Sequence, residues 1–286
     1  MPPDAALLEH LRAVVGPSGV VDDPAVAAGL LVDERRLYRG QAAIILKPAS
    51  THEVAAIVSA CHRAGVGVVP QGGNTGYCGG ATPDDSGTQV VVNLARMNAI
   101  GAVDTIGCTL TAGAGAILSD VQRAAAGHDL LFPLSMGSEG SCQIGGNLST
   151  NAGGLAVLRY ATARDLALGI EAVLADGSVL DELKRLRKDN TGYDLTGLLV
   201  GAEGSLGIIT AAVLRLFPRP RTRCTAFLSA ASLEVVCALL ARVRSDCADA
   251  ASAFEYIGRR ALDLVLAHVP GTRDPFAGAG LHHVLL

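Results

Sequence analysis

The alternation of apolar and polar positions divides the chain into short segments that switch between helical and strand periods. Residues 5–15 place Leu7, Leu8, Leu11, Val14 and Val15 at helical spacing and stop at Gly16-Pro17, which predicts a helix. Residues 42–46 form an apolar run closed by Pro48, the pattern of a buried strand. Thr51 then opens a helix as its N-cap, with Glu53, Val54, Ile57 and Val58 following and the end near Gly65. A second strand over 65–70 completes a strand–helix–strand unit, a small α/β element. Residues 70–87 are rich in Gly, Pro, Asp and Ser and read as loop, and 90–94 as strand. Residues 109–116 lead into an amphipathic helix at 117–126. Residues 132–154 have no hydrophobic period and predict a long functional loop. Residues 170–180 are a hairpin turning at Asp176-Gly177. A strand over 207–220 is closed by two prolines, and that pair is the candidate domain boundary. Beyond it, 233–244 and 259–268 have helix periodicity, and the chain finishes on an apolar strand that the pattern leaves as an unpaired edge. No internal repeat is visible.

Composition narrows the class. Half of the 286 residues are hydrophobic, enough for a sizeable core. Aromatics make up 3% and tryptophan is absent, which argues against a surface that stacks on bases. The net charge of -4, with no basic patch, gives no electrostatic case for nucleic acid or an anionic membrane. The seven cysteines are scattered and form no CxxC pair, which reads as free thiols in a reducing compartment. No apolar run approaches the ~20 residues of a membrane span. The N-terminus lacks a basic stretch followed by an apolar one, and Asp4 and Glu9 argue against a transit peptide, so the expected location is cytoplasmic.

Three glycine-rich sites carry the candidate chemistry. The first, Pro70-Gln71-Gly72-Gly73-Asn74-Thr75-Gly76 with Gly79-Gly80, follows a strand directly. Its backbone N–H groups can turn inward as a nest for a diphosphate without Lys or Arg, and Asn74 and Thr75 can add side-chain bonds. A glycine-rich surface turn explains the same residues. The dinucleotide fingerprint GxGxxG fails because Gly113-x-Gly115 lacks the third glycine, and the GxxxxGK[ST] loop is absent. The second site follows Pro133 and runs Gly137-Ser138-Glu139-Gly140-Ser141-Cys142-Gln143-Ile144-Gly145-Gly146-Asn147-Leu148-Ser149-Thr150-Asn151-Ala152-Gly153-Gly154. Each glycine costs backbone entropy on ordering, so close approach to a flat or phosphorylated ligand is the favoured reason for so many. The third site, Gly201-Ala202-Glu203-Gly204-Ser205-Leu206-Gly207-Ile208-Ile209, runs from a turn into a strand. Singly, the second and third sites also read as structural turns.

Together the three sites resemble the vanillyl-alcohol-oxidase-type (PCMH-type) FAD-binding family, and within it the D-2-hydroxyglutarate, D-lactate and glycolate dehydrogenase branch. Arg159-Tyr160, Leu174-Ala175-Asp176-Gly177 and Arg187-Lys188-Asp189-Asn190-Thr191-Gly192-Tyr193-Asp194-Leu195 extend the likeness. Two departures exist: Ala161 stands where the family has Gly, and Tyr77-Cys78 replace smaller or aliphatic residues.

The resemblance implies an α+β fold. An FAD-binding domain of two α/β subdomains would span 1–218, with its core at about 38–218, and an incomplete α+β cap would span 219–286. It implies non-covalent FAD, since no histidine lies in the three sites. The loop from Pro70 to Gly76, with Gly80, would hold the pyrophosphate. The stretch from Pro133 to Gly153 would line the flavin and ribityl chain. Glu203, Gly204, Gly207, Ile208 and Ile209 would approach through backbone.

The implied reaction oxidises a small D-2-hydroxy acid by hydride transfer to flavin N5. The electron acceptor would be a flavoprotein, quinone or cytochrome, and a homodimer is an open expectation. Catalytic residues stay unassigned. The family's divalent metal, commonly zinc, belongs to a C-terminal HxxxGDGNxH motif. None of His10, His52, His62, His128, His268, His282 and His283 sits in such a motif, so a metal is expected only in a longer form. His282 and His283, adjacent on a strand, point to opposite faces. The alternative reading is a non-catalytic FAD-binding subunit or fragment without the substrate site.

Overall fold

The computed structural model describes residues 2–276 and 280–286. Along the chain lie α1 (Ala5–Val15), α2 (Pro24–Leu30), β1 (Ile44–Leu46), α3 (Thr51–Ala64), β2 (Val68–Gln71), β3 (Val90–Asn93), β4 (Thr109–Gly113), α4 (Leu118–Ala126), β5 (Leu130–Leu131) and α5 (Ile144–Ser149). Next come α6 (Val157–Tyr160), α7 (Ala163–Leu166), β6 (Ala167–Leu174), β7 (Val179–Asp181), α8 (Leu195–Leu199), β8 (Gly207–Arg215) and β9 (Phe217–Pro218). The last elements are β10 (Phe227–Ala230), α9 (Leu233–Cys247), β11 (Glu255–Gly258), α10 (Arg259–His268) and β12 (His282–Leu285). Two compact units result: residues 1–153 with 162–219, and residues 154–161 with 220–286.

Among the described residues the first unit holds three sheets, the smallest being the antiparallel pair β5-β9. One is parallel, in the order β1-β3-β2, as the strand–helix–strand pattern requires. Its strands bury both faces. Ile44, Leu46, Val90 and Val92 pack with Leu11, Val54, Ile57, Val58 and Cys61 of α1 and α3. Ile45, Val69 and Val91 point the other way, against Ala27, Leu30 and Leu31. The second sheet is antiparallel, β4-β8-β6-β7, and its Val173 and Ile208 join the same core as α3. The hairpin turns where expected, with Gly177 at φ 90° and the Asp176 carboxylate accepting from Ser178 N at 2.8 Å.

Three expectations need correction. Ser50, not Thr51, caps α3: its hydroxyl accepts from Glu53 N, and Glu53 in turn accepts from Ala49 N at 2.8 Å. The Thr51 hydroxyl instead donates to Glu171 on β6, which also accepts from Thr210 at 2.7 Å. Residues 132–154 are not all loop. Ile144 and Leu148, one turn apart and buried, carry the short helix α5, which the low helix propensity of Gly145 and Gly146 hid. The final strand is not an unpaired edge. In the second unit β12 is the middle strand of β10-β12-β11, antiparallel to both neighbours. Segments 227–230 and 255–258 are too short and irregular to read as strands, so its partners were invisible in the sequence.

Candidate functional site

The first glycine site begins where β2 ends. Gln71, 1% exposed, fastens the loop: its Nε2 donates to Leu30 O and Ala81 O, both at 2.8 Å, and its Oε1 accepts from Asn93 Nδ2 at 3.0 Å. Asn74 adopts a left-handed φ of 54° and donates from Nδ2 to Val32 O at 2.7 Å and Gly29 O at 3.3 Å. Its amide donors are therefore occupied by the protein. The Asn74 side chain anchors the loop, so its amide does not offer phosphate the side-chain bond that the sequence suggests.

Beside this loop lies a turn the sequence reading missed. The buried carboxylate of Asp33 accepts from the N–H groups of Arg35 and Tyr38 and folds residues 33–39 tightly. Burial alone would push the Asp33 carboxyl up, but the N–H groups of Tyr38, Arg35 and Leu37 together hold it below the usual carboxylate range. The turn carries Arg35, Arg36 and Arg39. Arg35 stacks 3.9 Å from the centre of the Tyr77 ring, and the Tyr38 ring fills the space beside Gly79. So Tyr77, one of the departures noted above, has a partner, and the loop expected to work without arginine has cationic neighbours. The clustered arginines at 35–39 were the available signal.

The three glycine sites meet. A Cβ on Gly73 would overlap the Ser141 carbonyl and fall 3.1 Å from Cys142 Cα, which joins the first loop to the second. A Cβ on Gly204, at φ 79°, would fall 2.6 Å from the Pro70 ring, which joins the first to the third. A Cβ on Gly80 would stand 3.7 Å from the Glu203 carboxylate, an ordinary contact between the same two loops. The third loop docks on the end of α5 through Gly201 N to Leu148 O at 3.0 Å and Glu203 N to Ser149 O at 2.9 Å. Gly145 packs against Ala114 and Gly207 against Val173 O. These glycines let loops approach each other. Around Gly76, Gly137, Gly140 and Gly146, by contrast, a Cβ would meet nothing within 4 Å, so they border open space.

The other expected residues sort by side chain. Pro133 is buried. The hydroxyls of Ser141 and Thr150 bond Ser138 O and Gly146 O, and Asn151 Oδ1 accepts from Arg164 N at 3.0 Å, so these close turns. Thr75 and Ser138 are half-buried, while Gly153 is exposed. Ile208 and Ile209 are buried on β8, and β4 pairs β8 only from Ala211 onward. Next to the third loop is a cavity of about 210 Å³ walled by Pro70, Val173, Gly204, Gly207, Ile208 and His62. His62 enters from α3, so one histidine does face this region although none lies in the loops.

Two amides test whether the site suits a polar cofactor. Gln143 and Asn147 are 8% and 5% exposed. Gln143 Oε1 and Asn147 Nδ2 have no hydrogen-bond partner among the described residues. Buried polar atoms are normally paired, so two orphans on the glycine-rich second loop fit a ligand rich in hydrogen-bonding groups. FAD is such a ligand. No three His, Cys, Asp or Glu side chains among the described residues come together as a metal cluster. In the second unit the two strand histidines do point apart. His283 is fully buried and stacks on Phe276, whereas His282 meets the Tyr256 hydroxyl at 2.9 Å.

Comparison with known proteins supplies the rest. Residues 42–182 match the family described as "FAD binding domain". Mitochondrial D-2-hydroxyglutarate dehydrogenase of Arabidopsis thaliana is 38% identical over 99% of this chain and 50% of the relative. The Bos taurus enzyme of the same name is 40% identical over 98% and 52%. The D-2-hydroxyglutarate–pyruvate transhydrogenase of Saccharomyces cerevisiae is 33% identical over 99% and 57%. The chain thus spans about half the length of the curated relatives it matches. The compartment in the first two names is the mitochondrion, which does not support the cytoplasmic expectation. Among the described residues no helix is long and apolar enough to cross a membrane. An alkyldihydroxyacetonephosphate synthase has the same fold at a TM-score of 0.81 and 22% identity, over 94% of this chain and 51% of that one. The grass pollen allergen Phl p 4 follows at 0.67 and 22%, over 84% and 49%.

Proposed function

We propose, from the premise that this chain belongs to the FAD-linked oxidase family, that it is the FAD-binding portion of a dehydrogenase acting on a D-2-hydroxy acid of the 2-hydroxyglutarate, lactate or glycolate type. The observation that carries the cofactor assignment is the convergence of three glycine loops, the second of which holds two buried amides without partners. Relatives named for D-2-hydroxyglutarate support the substrate class.

In this reading residues 1–218 are the cofactor domain and 219–286 the beginning of the cap. Backbone N–H groups of Gly72, Thr75, Gly76 and Gly80 hold the pyrophosphate, with the Thr75 hydroxyl free to add a bond. Gly137, Ser138, Gly140, Gly146 and Asn147 line the flavin and ribityl chain. Gly207, Ile208 and Ile209 offer backbone to the adenine side. Gly73, Asn74, Gly145 and Gly204 act indirectly, by holding the loops at the spacing the cofactor needs. The bound flavin supplies the hydride acceptor for the substrate Cα. The chain's residues bind and orient it and keep water from its buried edge. A flavoprotein, quinone or cytochrome would then take the electrons.

The test has two parts. The purified chain, reconstituted with FAD and gel-filtered, keeps a yellow cofactor that chromatography identifies as FAD. A form extended to the length of the relatives reduces an artificial dye with D-2-hydroxyglutarate, D-lactate or glycolate, and the 286-residue chain does not. A chain that retains no flavin refutes the cofactor reading. Dye reduction by the 286-residue chain would mean that the base and carboxylate clamp lie within it.

A further inference from the structure

We infer that Gln143 and Asn147 form a paired amide subsite that holds one secondary hydroxyl of the cofactor, Gln143 Oε1 accepting its proton and Asn147 Nδ2 donating to its oxygen. The inference rests on the FAD reading and adds a residue, Gln143, that the sequence left without a role.

Gln143 occupies the N-cap position of α5 but makes no capping bond with its side chain. Glutamine is not a favoured cap, and an unused one gives the helix nothing. Nor does its side chain bond any other described residue. Asn147 follows one helical turn later, its own N–H bonded to Gln143 O at 2.9 Å, while its Nδ2 stays unpartnered. Gln143 stands at the N-cap of α5 and Asn147 lies one turn into it, so one acceptor and one donor come from the same end of one helix. Both are more than nine-tenths buried, so solvent does not satisfy them cheaply.

The polarity of the pair selects its ligand. Phosphate and carboxylate oxygens only accept and would leave Gln143 Oε1 orphaned. A ring N–H only donates and would leave Asn147 Nδ2 orphaned. A hydroxyl does both. Location narrows the choice further. A Cβ on Gly72 would sit 3.4 Å from Gln143 Oε1, which puts the subsite against the proposed pyrophosphate loop. In FAD the pyrophosphate is flanked by hydroxylated carbons on both sides, the ribityl chain and the ribose.

The test uses the 286-residue apoprotein and the variants Gln143→Met and Asn147→Leu, either of which decides. Calorimetric titration with FAD, FMN and ADP is paired with thermal melts of the apo forms. Each variant is expected to weaken FAD about tenfold. Its apo form is expected to melt at or above the wild-type temperature, because a buried orphan has been removed. FMN weakening without ADP assigns the hydroxyl to the ribityl chain, and ADP weakening without FMN assigns it to the ribose. A merely structural role would lower the apo melting temperature and leave FAD affinity within about twofold, and that result overturns the inference. A wild-type apoprotein that binds no FAD would instead refute the cofactor reading on which it stands.

Discussion

Gly73 and Gly76 lie three residues apart in one loop, yet the structure gives them opposite consequences. At Gly73 an added Cβ would overlap the Ser141 carbonyl oxygen and lie 3.1 Å from both Ser141 C and Cys142 Cα. All are backbone atoms, so no flexible side chain can yield. Gly73→Ala must part the first and second loops. Overpacking of this kind costs about 1–3 kcal/mol. At about 2–4 °C per kcal/mol for a unit of this size, the melting temperature falls by roughly 2–12 °C. At Gly76 nothing lies within 4 Å and φ is not positive, so Gly76→Val is accommodated, with a change within about 0.5 kcal/mol. Its side chain would fill the opening instead. Thermal melts of the apo forms and the flavin-to-protein absorbance ratio after gel filtration separate the two effects. Gly73→Ala is unstable first and flavin-poor as a result. Gly76→Val is stable and flavin-poor. If Gly73→Ala melts with the wild type, the loops are not packed as described, and if Gly76→Val keeps a full yellow spectrum, the cofactor does not pass that glycine.

Further outcomes follow from the backbone and from single side chains. Ala161 sits at φ 60° and ψ −159°, a conformation only glycine adopts freely, so Ala161→Gly should gain about 1 kcal/mol after the added unfolded-state entropy is subtracted, and an unchanged urea midpoint would show the strain is absent. Burial pushes the Cys61 thiol from 9.0 up to about 11, so the unfolded chain ionises first as pH rises. The Cys61 contribution to stability is then intact below pH 9 and lost as pH climbs toward 11, a decline that urea titrations should find smaller in Cys61→Ala. In the native protein a thiol reagent should modify the exposed Cys78, Cys224, Cys237 and Cys247 before the buried Cys61 and Cys142. Mild acid should release the cofactor as intact FAD, and fluorescence that migrates with the denatured chain would show a covalent bond.

What could be read from the sequence was whatever one residue's neighbours decide. The period of α1, the strand–helix–strand of β1-α3-β2 and the turn at Asp176-Gly177 are local patterns, and they fell where expected. The assignment of the α3 cap failed by one residue because Ser50 and Thr51 are both good caps, and only the contact with Glu171, far along the chain, shows which hydroxyl is engaged elsewhere. At the site, glycine-rich sequence marked the three loops but not the job of each glycine. Gly73 and Gly76 look alike in sequence and differ only in what stands opposite. Asn74 looked like a ligand and is an anchor. Gln143 was given no role, and its Oε1 is an orphan. The Asp33 turn was legible only as a cluster of arginines, and the stacking of Arg35 on Tyr77 depends on a fold of the chain. Ala161 was legible as a departure, and its left-handed φ shows why a glycine suits that position.

The placing of β12 bears on how this protein is made. Among the described residues β10 and β11 do not pair with each other, and each pairs with β12. A ribosome delivers the two flanking strands first and the strand that joins them last. Until residues 282–285 emerge, Phe227–Ala230 and Glu255–Gly258 wait with open backbone edges, while the first unit already has all its strands. The nascent chain therefore passes through a stage with a finished first unit and a second unit whose sheet cannot yet form, the period in which a chaperone matters most.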